Sequence, residues 1–271
     1  MHPLTDQQLS DYRRDGYVIA RSFFTPEEAG KMYRVATDDD VIASHSYDLN
    51  DQSGKKTKLA LWYEPGDDVY GLAVRSERMV GAVRQLLGGE PAHYHTKLMQ
   101  KEPAVGGAWE WHQDFGYWYQ SGFLYPDMLS AMVALTRATT ANGCLQVLKG
   151  THRMGRVDHG AAGEQKGIAD ELVAAARERG HEAVQVELEP GDTLFFHCNL
   201  FHASQANTSD THRWSLISAY NRVDNVPYVD YPAGATRPID VVADDALAGA
   251  AAVGLAGDRD FLSKATDRSL A

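Results

Sequence analysis

Two stretches of the chain carry residue types that can hold a metal ion. The first is Trp111-His112-Gln113-Asp114. On a strand, residues two apart face the same side, so His112 and Asp114 can offer an imidazole and a carboxylate to one point. A surface histidine beside an aspartate is the plainer alternative. The second stretch runs from Pro190-Gly191-Asp192-Thr193 through His197 to His202 and Ser204, and then to Arg213-Trp214-Ser215. Two histidines and one carboxylate on one face are the ligand set of non-haem iron(II), which leaves positions open for a bidentate 2-oxo acid and for O2. The far carboxylate of such an acid needs a fixed, always-charged partner that binds two oxygens, and arginine suits that better than lysine. Arg213 heads an apolar run, where a buried guanidinium is costly unless an anion pairs with it. An arginine at the strand mouth, paired to a surface acid, is the alternative.

Composition narrows the field. The chain has 271 residues, a net charge of −11, eleven histidines and two cysteines. An acidic balance argues against general nucleic-acid binding and against adhesion to anionic membranes. Cys144 and Cys198 are too few for a disulfide framework or a cysteine zinc cluster, so nitrogen and oxygen donors would hold any metal. The N-terminal residues lack a basic stretch followed by an apolar one, and no apolar run approaches a membrane span. A cytoplasmic protein acting on a small molecule is expected, without nucleic-acid or membrane partners. No sequence feature sets an oligomeric state.

The elements that must position these groups follow from patterning. Thr5, with Gln8 three residues on, forms a capping box for a helix that stops at Gly16. Tyr17–Ala20 reads as a strand. Thr25-Pro26-Glu27-Glu28 opens a second helix reaching about Val35 or Ala36. Residues 37–57 are polar and read as a long loop. Lys58–Trp62 reads as a strand, Pro65–Asp68 as a turn, and about Glu77–Leu87 as a third helix. From Ala92 the character changes to short strands: His93–Gln100, Leu129–Thr136, Leu145–Leu148, Ala183–Leu188, Thr193–His197 and Arg213–Asn221, with a helical insertion over about Glu164–Arg179. Many short strands point to a sandwich or jelly roll. The chain therefore reads as one domain over 1–271. It has a helical part over about 5–90, a jelly-roll core over about 92–225, and a C-terminal extension, 226–271, from which little core contribution is expected.

Over about residues 5–225 the sequence resembles the phytanoyl-CoA dioxygenase family of Fe(II)/2-oxoglutarate oxygenases. The resemblance rests on Asp15-Gly16-Tyr17-Val18, on Trp111-His112-Gln113-Asp114, on the run from Asn142-Gly143-Cys144 to Gly150-Thr151-His152-Arg153, on Pro190-Gly191-Asp192-Thr193, and on His202 followed by Arg213. It implies a mainly β fold with α-helices, a double-stranded β-helix (jelly-roll) core flanked by N-terminal helices. It also implies Fe(II) on His112, Asp114 and His202, with Arg213 and Ser204 on 2-oxoglutarate and O2 as oxidant. The family spacing to Arg213 favours His202 over His197. The presence of Asp114 argues against a halogenase, in which that carboxylate is replaced. By similarity to ectoine hydroxylases of the family, His95, Lys97 and Met99 would point inward and Trp118 would flank the cofactor. Lys97 would then meet 2-oxoglutarate or a substrate anion, a solvated strand lysine being the alternative.

The implied reaction hydroxylates a C–H bond of a small polar metabolite. An acyl-CoA would need a basic cluster, and the chain offers only Lys55-Lys56-Lys58. The segments Lys58–Trp62 and Gly66–Gly71, with the aromatic run after Trp111, resemble bacterial aminoalkylphosphonate hydroxylases. Those act on the carbon next to phosphorus in 2-aminoethylphosphonate or its N-methylated analogues. On that reading Lys97 would meet the phosphonate, and Asp67, Asp68, Trp62 and Tyr117 would be available around the amine. A free amino acid or a compatible solute such as ectoine is the enzymatic alternative. A jelly-roll metal- or ligand-binding protein is the non-enzymatic one.

Overall fold

The capping box at Thr5 forms: its hydroxyl accepts from the Gln8 N–H, and the Gln8 side chain accepts from the Thr5 N–H at 2.9 Å. The helix it starts ends at Gly16, in the left-handed region at φ +84. The computed structural model describes residues 4–38, 40–230 and 233–265. In chain order the elements are α1 (Asp6–Asp15), β1 (Tyr17–Ala20), α2 (Pro26–Asp38), α3 (Asp40–His45), β2 (Tyr47–Asn50), β3 (Lys56–Trp62), α4 (Val69–Arg75), α5 (Glu77–Leu87), β4 (Pro91–Lys101), β5 (Trp109–His112) and α6 (Asp114–Trp118). They continue with β6 (Met128–Ala134), β7 (Leu145–Leu148), β8 (Gly160–Ala162), β9 (Gln165–Gly167), α7 (Asp170–Glu178), β10 (Ala183–Val186), β11 (Thr193–His197), β12 (His202–Ser204), β13 (Arg213–Arg222) and α8 (Ala246–Gly249).

Two antiparallel sheets face each other. The larger has the order β1-β11-β6-β13-β4-β3-β2 and the smaller β10-β7-β12-β5. Strand alternation divides the larger sheet's side chains cleanly. Ala60, Trp62, Leu98, Leu129, Ala131, Val133, Phe195, Trp214 and Leu216 pack against Tyr12, Met32, Tyr70 and Met79 of the helical layer. Leu59, Leu61, Met99, Met132, Ala134, Phe196 and Ile217 point the other way, onto Leu145 and Val147 of the smaller sheet. The functional cavity lies in this second interface. This is the mainly β jelly-roll arrangement, with the N-terminal helices on the larger sheet and α7 against the smaller one.

Several boundaries differ from the sequence reading. The stretch 37–57 is not one loop: α3 and β2 lie within it, and β2 pairs with β3 as an edge strand. The expected turn at Pro65–Asp68 leads into α4, because the Asp68 carboxylate accepts from the Tyr70 and Gly71 N–H groups and caps a helix. Only the second part of 164–179 is helical; Gln165–Gly167 instead pairs with Gly160–Ala162 in a hairpin. The C-terminal segment does enter the core. Leu247 and Leu255 are buried in the helix-side cluster, and Lys31 donates to the carbonyls of Leu247, Ala248 and Ala250. Among the described residues, no helix is long and apolar enough to cross a membrane.

Candidate active site

His112 is the last residue of β5 and Asp114 the first of α6, so the shared face read from strand alternation is completed by the first turn of a helix. His202 opens β12, which pairs with β5 so that His202 stands opposite His112. All three side chains are buried, and their ligand-type atoms lie within 4.8 Å of one another. Asp114 Oδ1 is 3.8 Å from Nε2 of each histidine. His112 Nδ1 donates to the Glu110 carbonyl at 2.7 Å, and His202 Nδ1 to the Leu200 carbonyl at 2.9 Å. A carbonyl oxygen can only accept, so each Nδ1 carries the proton and each Nε2 presents its lone pair to the common point. Burial pulls both imidazole pKa values below the usual range; His202 reinforces this for His112, while Asp114 opposes it for His202. Neutral imidazole is the ligand form, and the donor set suits Fe(II).

One cavity holds both histidines together with Lys97, Trp109, Ser204 and Arg213, and its walls include Met99, Met132, Leu145, Phe196 and Ile217. Arg213 is 3% exposed. It donates through Nε and Nη2 to the Gly143 carbonyl, at 3.2 and 2.9 Å, and through Nη1 to Ser215 Oγ at 3.3 Å. Burial pulls its pKa down to about 10. The Asn142-Gly143-Cys144 segment is thus the turn that seats this arginine. Gly143 has φ +76, and a Cβ there would lie 2.2 Å from the Gln205 carbonyl oxygen. The Lys97 ammonium sits 5.8 Å from the centroid of the Trp109 ring.

The other candidates fall in different places. His95 is buried and does not line the cavity; its ring meets Tyr94, Trp118 and Tyr63 edge-on. Trp118 likewise lies outside the lining, in a cluster with Tyr94, Phe115 and Phe123. Tyr117 stands beside the ligands, its ring 5.6 Å from that of His112 and its hydroxyl donating to the Lys166 carbonyl. Trp62 faces the helical layer and packs on Tyr70, because its parity on β3 is that of Ala60 and not of Leu61. Asp68 caps α4 and pairs with Arg259 at 3.1 Å. Asp67 is exposed and pairs with Arg75 at 2.6 Å. The amine surroundings expected from Trp62, Asp67 and Asp68 are therefore not assembled at the cavity. His197 packs on His152, with its Nδ1 accepting from the Asn199 N–H at 3.0 Å.

Two contacts near the site escaped the sequence reading. Ser130 Oγ donates to Asp114 Oδ2 at 2.6 Å. Lys101 is fully buried and donates to the carbonyls of Ser204 and Gln205, at 3.3 and 2.5 Å. The available signal was polarity at inward positions of otherwise apolar strands.

An antiparallel jelly roll with two imidazoles and one carboxylate converging in its cavity defines a non-haem Fe(II)/2-oxoglutarate-dependent dioxygenase. The chain belongs to the phytanoyl-CoA dioxygenase family, whose model (Phytanoyl-CoA dioxygenase, PhyH) matches residues 12–215. L-proline trans-4-hydroxylase of Streptomyces griseoviridis is 34% identical over 178 residues, which are 59% of this chain and 66%, just under two thirds, of that enzyme. Ectoine dioxygenase of Halomonas elongata is 28% identical over 252 residues, 87% of this chain and 75% of that one. The crystal structure of EctD from S. alaskensis with bound Fe has a TM-score of 0.71 at 24% identity, covering 89% of this chain and 88% of that one.

Proposed function

We propose that the protein hydroxylates a C–H bond of a small zwitterionic metabolite that carries a nitrogen cation and an acid group, with Fe(II) on His112, Asp114 and His202 and the far carboxylate of 2-oxoglutarate on Arg213. One observation carries this reading: three ligand-type atoms converge within 4.8 Å, and the two histidines that bring them together line the cavity that holds a buried arginine. When bound, iron and 2-oxoglutarate supply the oxidising power, one oxygen atom of O2 entering the substrate and the other succinate as CO2 leaves. The chain's own residues bind, orient and exclude water. The neutral imidazoles offer Nε2 lone pairs without first losing a proton. Arg213, with the Ser204 hydroxyl beside it, sets the far end of the co-substrate. Met99, Met132, Leu145, Phe196 and Ile217 keep the cavity dry, which strengthens the charge contacts inside it. Lys97 reaches the same space and would anchor a substrate anion. His95 and Trp118 act from behind the wall, packing on one another.

The substrate class draws support from the relatives: one is named for L-proline and several for ectoine, both small molecules that carry a carboxylate and a ring nitrogen. 2-Aminoethylphosphonate has the same charge pattern and stays in the assay, but Lys97 and Tyr117 alone of its expected contacts lie near the ligands. Both cysteines are free and buried, which fits a reducing compartment, and we place the enzyme in the cytoplasm. The test is succinate release from Fe(II)-loaded protein over a panel of L-proline, ectoine, 2-aminoethylphosphonate and an acyl-CoA. Release stimulated by a small zwitterion is expected. Stimulation by the acyl-CoA alone would overturn the substrate class.

A further inference from the structure

The two oxygens of Asp114 are not equivalent. Oδ1 looks toward both histidine Nε2 atoms at 3.8 Å, whereas Oδ2 accepts from Ser130 Oγ at 2.6 Å. That length belongs to a charge-assisted O–H···O⁻ bond. Ser130 is 1% exposed and sits within β6. Its neighbours Leu129 and Ala131 face the helical layer, while Ser130 faces inward between Phe196 of β11 and Ala219 of β13. The hydroxyl comes from a strand of the larger sheet and reaches a carboxylate carried by the segment after β5 of the smaller one. It is an independent anchor, not a local turn contact.

We propose that Ser130 is a positioning residue that keeps Asp114 bound to the metal through Oδ1 alone; this rests on the reading of His112, Asp114 and His202 as ligands. A six-coordinate iron held by three protein atoms has three positions left, two for the 2-oxo acid and one for O2. If both oxygens of Asp114 bound the metal, one of those positions would be lost. An unrestrained carboxylate can change between the two modes, since its oxygens are alike. Ser130 makes them unlike. Its single proton rests on Oδ2, and with both side chains buried, giving up that bond would strand a hydroxyl without its acceptor. The carbonyls of Glu110 and Leu200 select which nitrogen each histidine presents. Ser130 selects which oxygen the aspartate presents.

The experiment is an anaerobic titration of wild-type protein and of Ser130→Ala, Ser130→Cys and Ser130→Thr, first with Fe(II) and then with 2-oxoglutarate, followed by the visible charge-transfer band of the ternary complex. Crystals of the Ala variant with Fe(II) would be analysed in parallel. The Ala and Cys variants should bind 2-oxoglutarate about tenfold more weakly per bound iron, equivalent to ~1.4 kcal/mol, because Oδ2 then competes for one of its two positions. Thr, which keeps the hydroxyl, should restore the wild-type band, and the Ala crystal should show both Asp114 oxygens on the metal. Unchanged 2-oxoglutarate affinity in Ala and Cys, or one-oxygen ligation in the Ala crystal, overturns the proposal. So does a loss confined to iron affinity. Should Ala not fold, Cys fills the same space with a weak donor and decides alone. If wild-type protein binds no Fe(II), or Asp114→Ala binds it as well as wild type, the ligand reading itself fails, and this result is distinct from the others.

Discussion

Lys101 and Arg213 stand directly opposite each other in the β4–β13 pair, both buried, and among the described residues neither has a carboxylate within ion-pair distance. Like charges facing each other across a strand pair are destabilising. Burial pulls the Lys101 pKa far down, and Arg213 adds to that. Lys101 spends its donors on the Ser204 and Gln205 carbonyls and so fixes the end of β12, while Arg213 keeps part of its fork turned to the cavity. Arg213 therefore places a buried guanidinium at this end of the cavity within a protein of net charge −11, and a bound carboxylate would pair with it.

If that is so, 2-oxoglutarate should stabilise the protein strongly. At about 100 times Kd the linkage is worth about 2.7 kcal/mol, which at roughly 2–4 °C per kcal/mol raises Tm by roughly 5–10 °C. N-oxalylglycine with Mn(II) avoids turnover during a thermal melt. Arg213→Met should lose most of the shift, and pyruvate, which lacks the far carboxylate, should produce little. Equal shifts in wild type and Arg213→Met would place that carboxylate elsewhere.

The seat of Arg213 can be disturbed without touching its charge. Gly143 combines positive φ with close approach to Gln205, so Gly143→Ala must move the carbonyl that receives two of the guanidinium's bonds. We expect KM for 2-oxoglutarate to rise by about tenfold, equivalent to ~1.4 kcal/mol, with kcat changing less. Steady-state kinetics at saturating substrate separate the two. A fall in kcat at constant KM would mean that the turn acts on the metal end instead.

Two histidines five residues apart compete for one role in the sequence, and variants distinguish them. His112→Ala, Asp114→Ala and His202→Ala should each abolish Fe(II)-dependent succinate formation. His197→Gln should keep it, because His197 is engaged by Asn199 and His152, away from the ligand cluster. Loss of iron binding in His197→Gln with retention in His202→Ala would reverse the assignment.

What the sequence made legible was local or depended on residue type. The capping box at Thr5, the stop at Gly16 and the strand over Arg213–Asn221 need only near neighbours. His112, Asp114, His202 and Arg213 stand out because few residue types can do their chemistry. Ser130 and Lys101 do not stand out, since their meaning comes from register: Ser130 matters because β6 lies beside β11 and β13, and Lys101 because it faces Arg213. Trp62 was misplaced for the same reason. Its neighbourhood in sequence suggested the cavity, but the parity of β3 turns it to the helices. Asp68 has the composition of a turn residue and the role of a helix cap, two uses of one side chain that the sequence alone does not separate.

Acid should loosen the protein through histidines buried in neutral form. Burial, with His152 adding to it, pushes His197 down to about 4, and burial pushes His93 down to about 3. The unfolded chain titrates near ~6.5, so on acidification it takes up these protons first. Their contribution is complete above about pH 6.5 and is lost as pH falls toward the folded values. Tm should therefore decline between about pH 6.5 and about pH 4, and His197→Phe should flatten the decline. An identical pH slope in the variant would assign the acid sensitivity to other groups.

The C-terminal segment offers the sharpest contrast between composition and structure. Its Ala-, Gly- and Asp-rich sequence reads as a peripheral extension, yet Leu247 is 1% exposed within the helix-side cluster. It is held there from two sides: the Lys31 ammonium collects the carbonyls at the end of α8, and the Val69 N–H at the start of α4 donates to Val253 at 3.1 Å. Arg78 adds a third tie, pairing with Asp244 at 3.4 Å as well as with Glu28. A peripheral leucine would cost almost nothing to truncate, whereas one buried like this loses both transfer energy and packing. Leu247→Ala should then lower the unfolding free energy by about 2–5 kcal/mol, seen as a lower urea midpoint at unchanged m-value. The ligand cluster lies on the other face of the sheet, so Fe(II) affinity of the folded variant should match wild type. A midpoint within error of wild type would return this segment to the periphery.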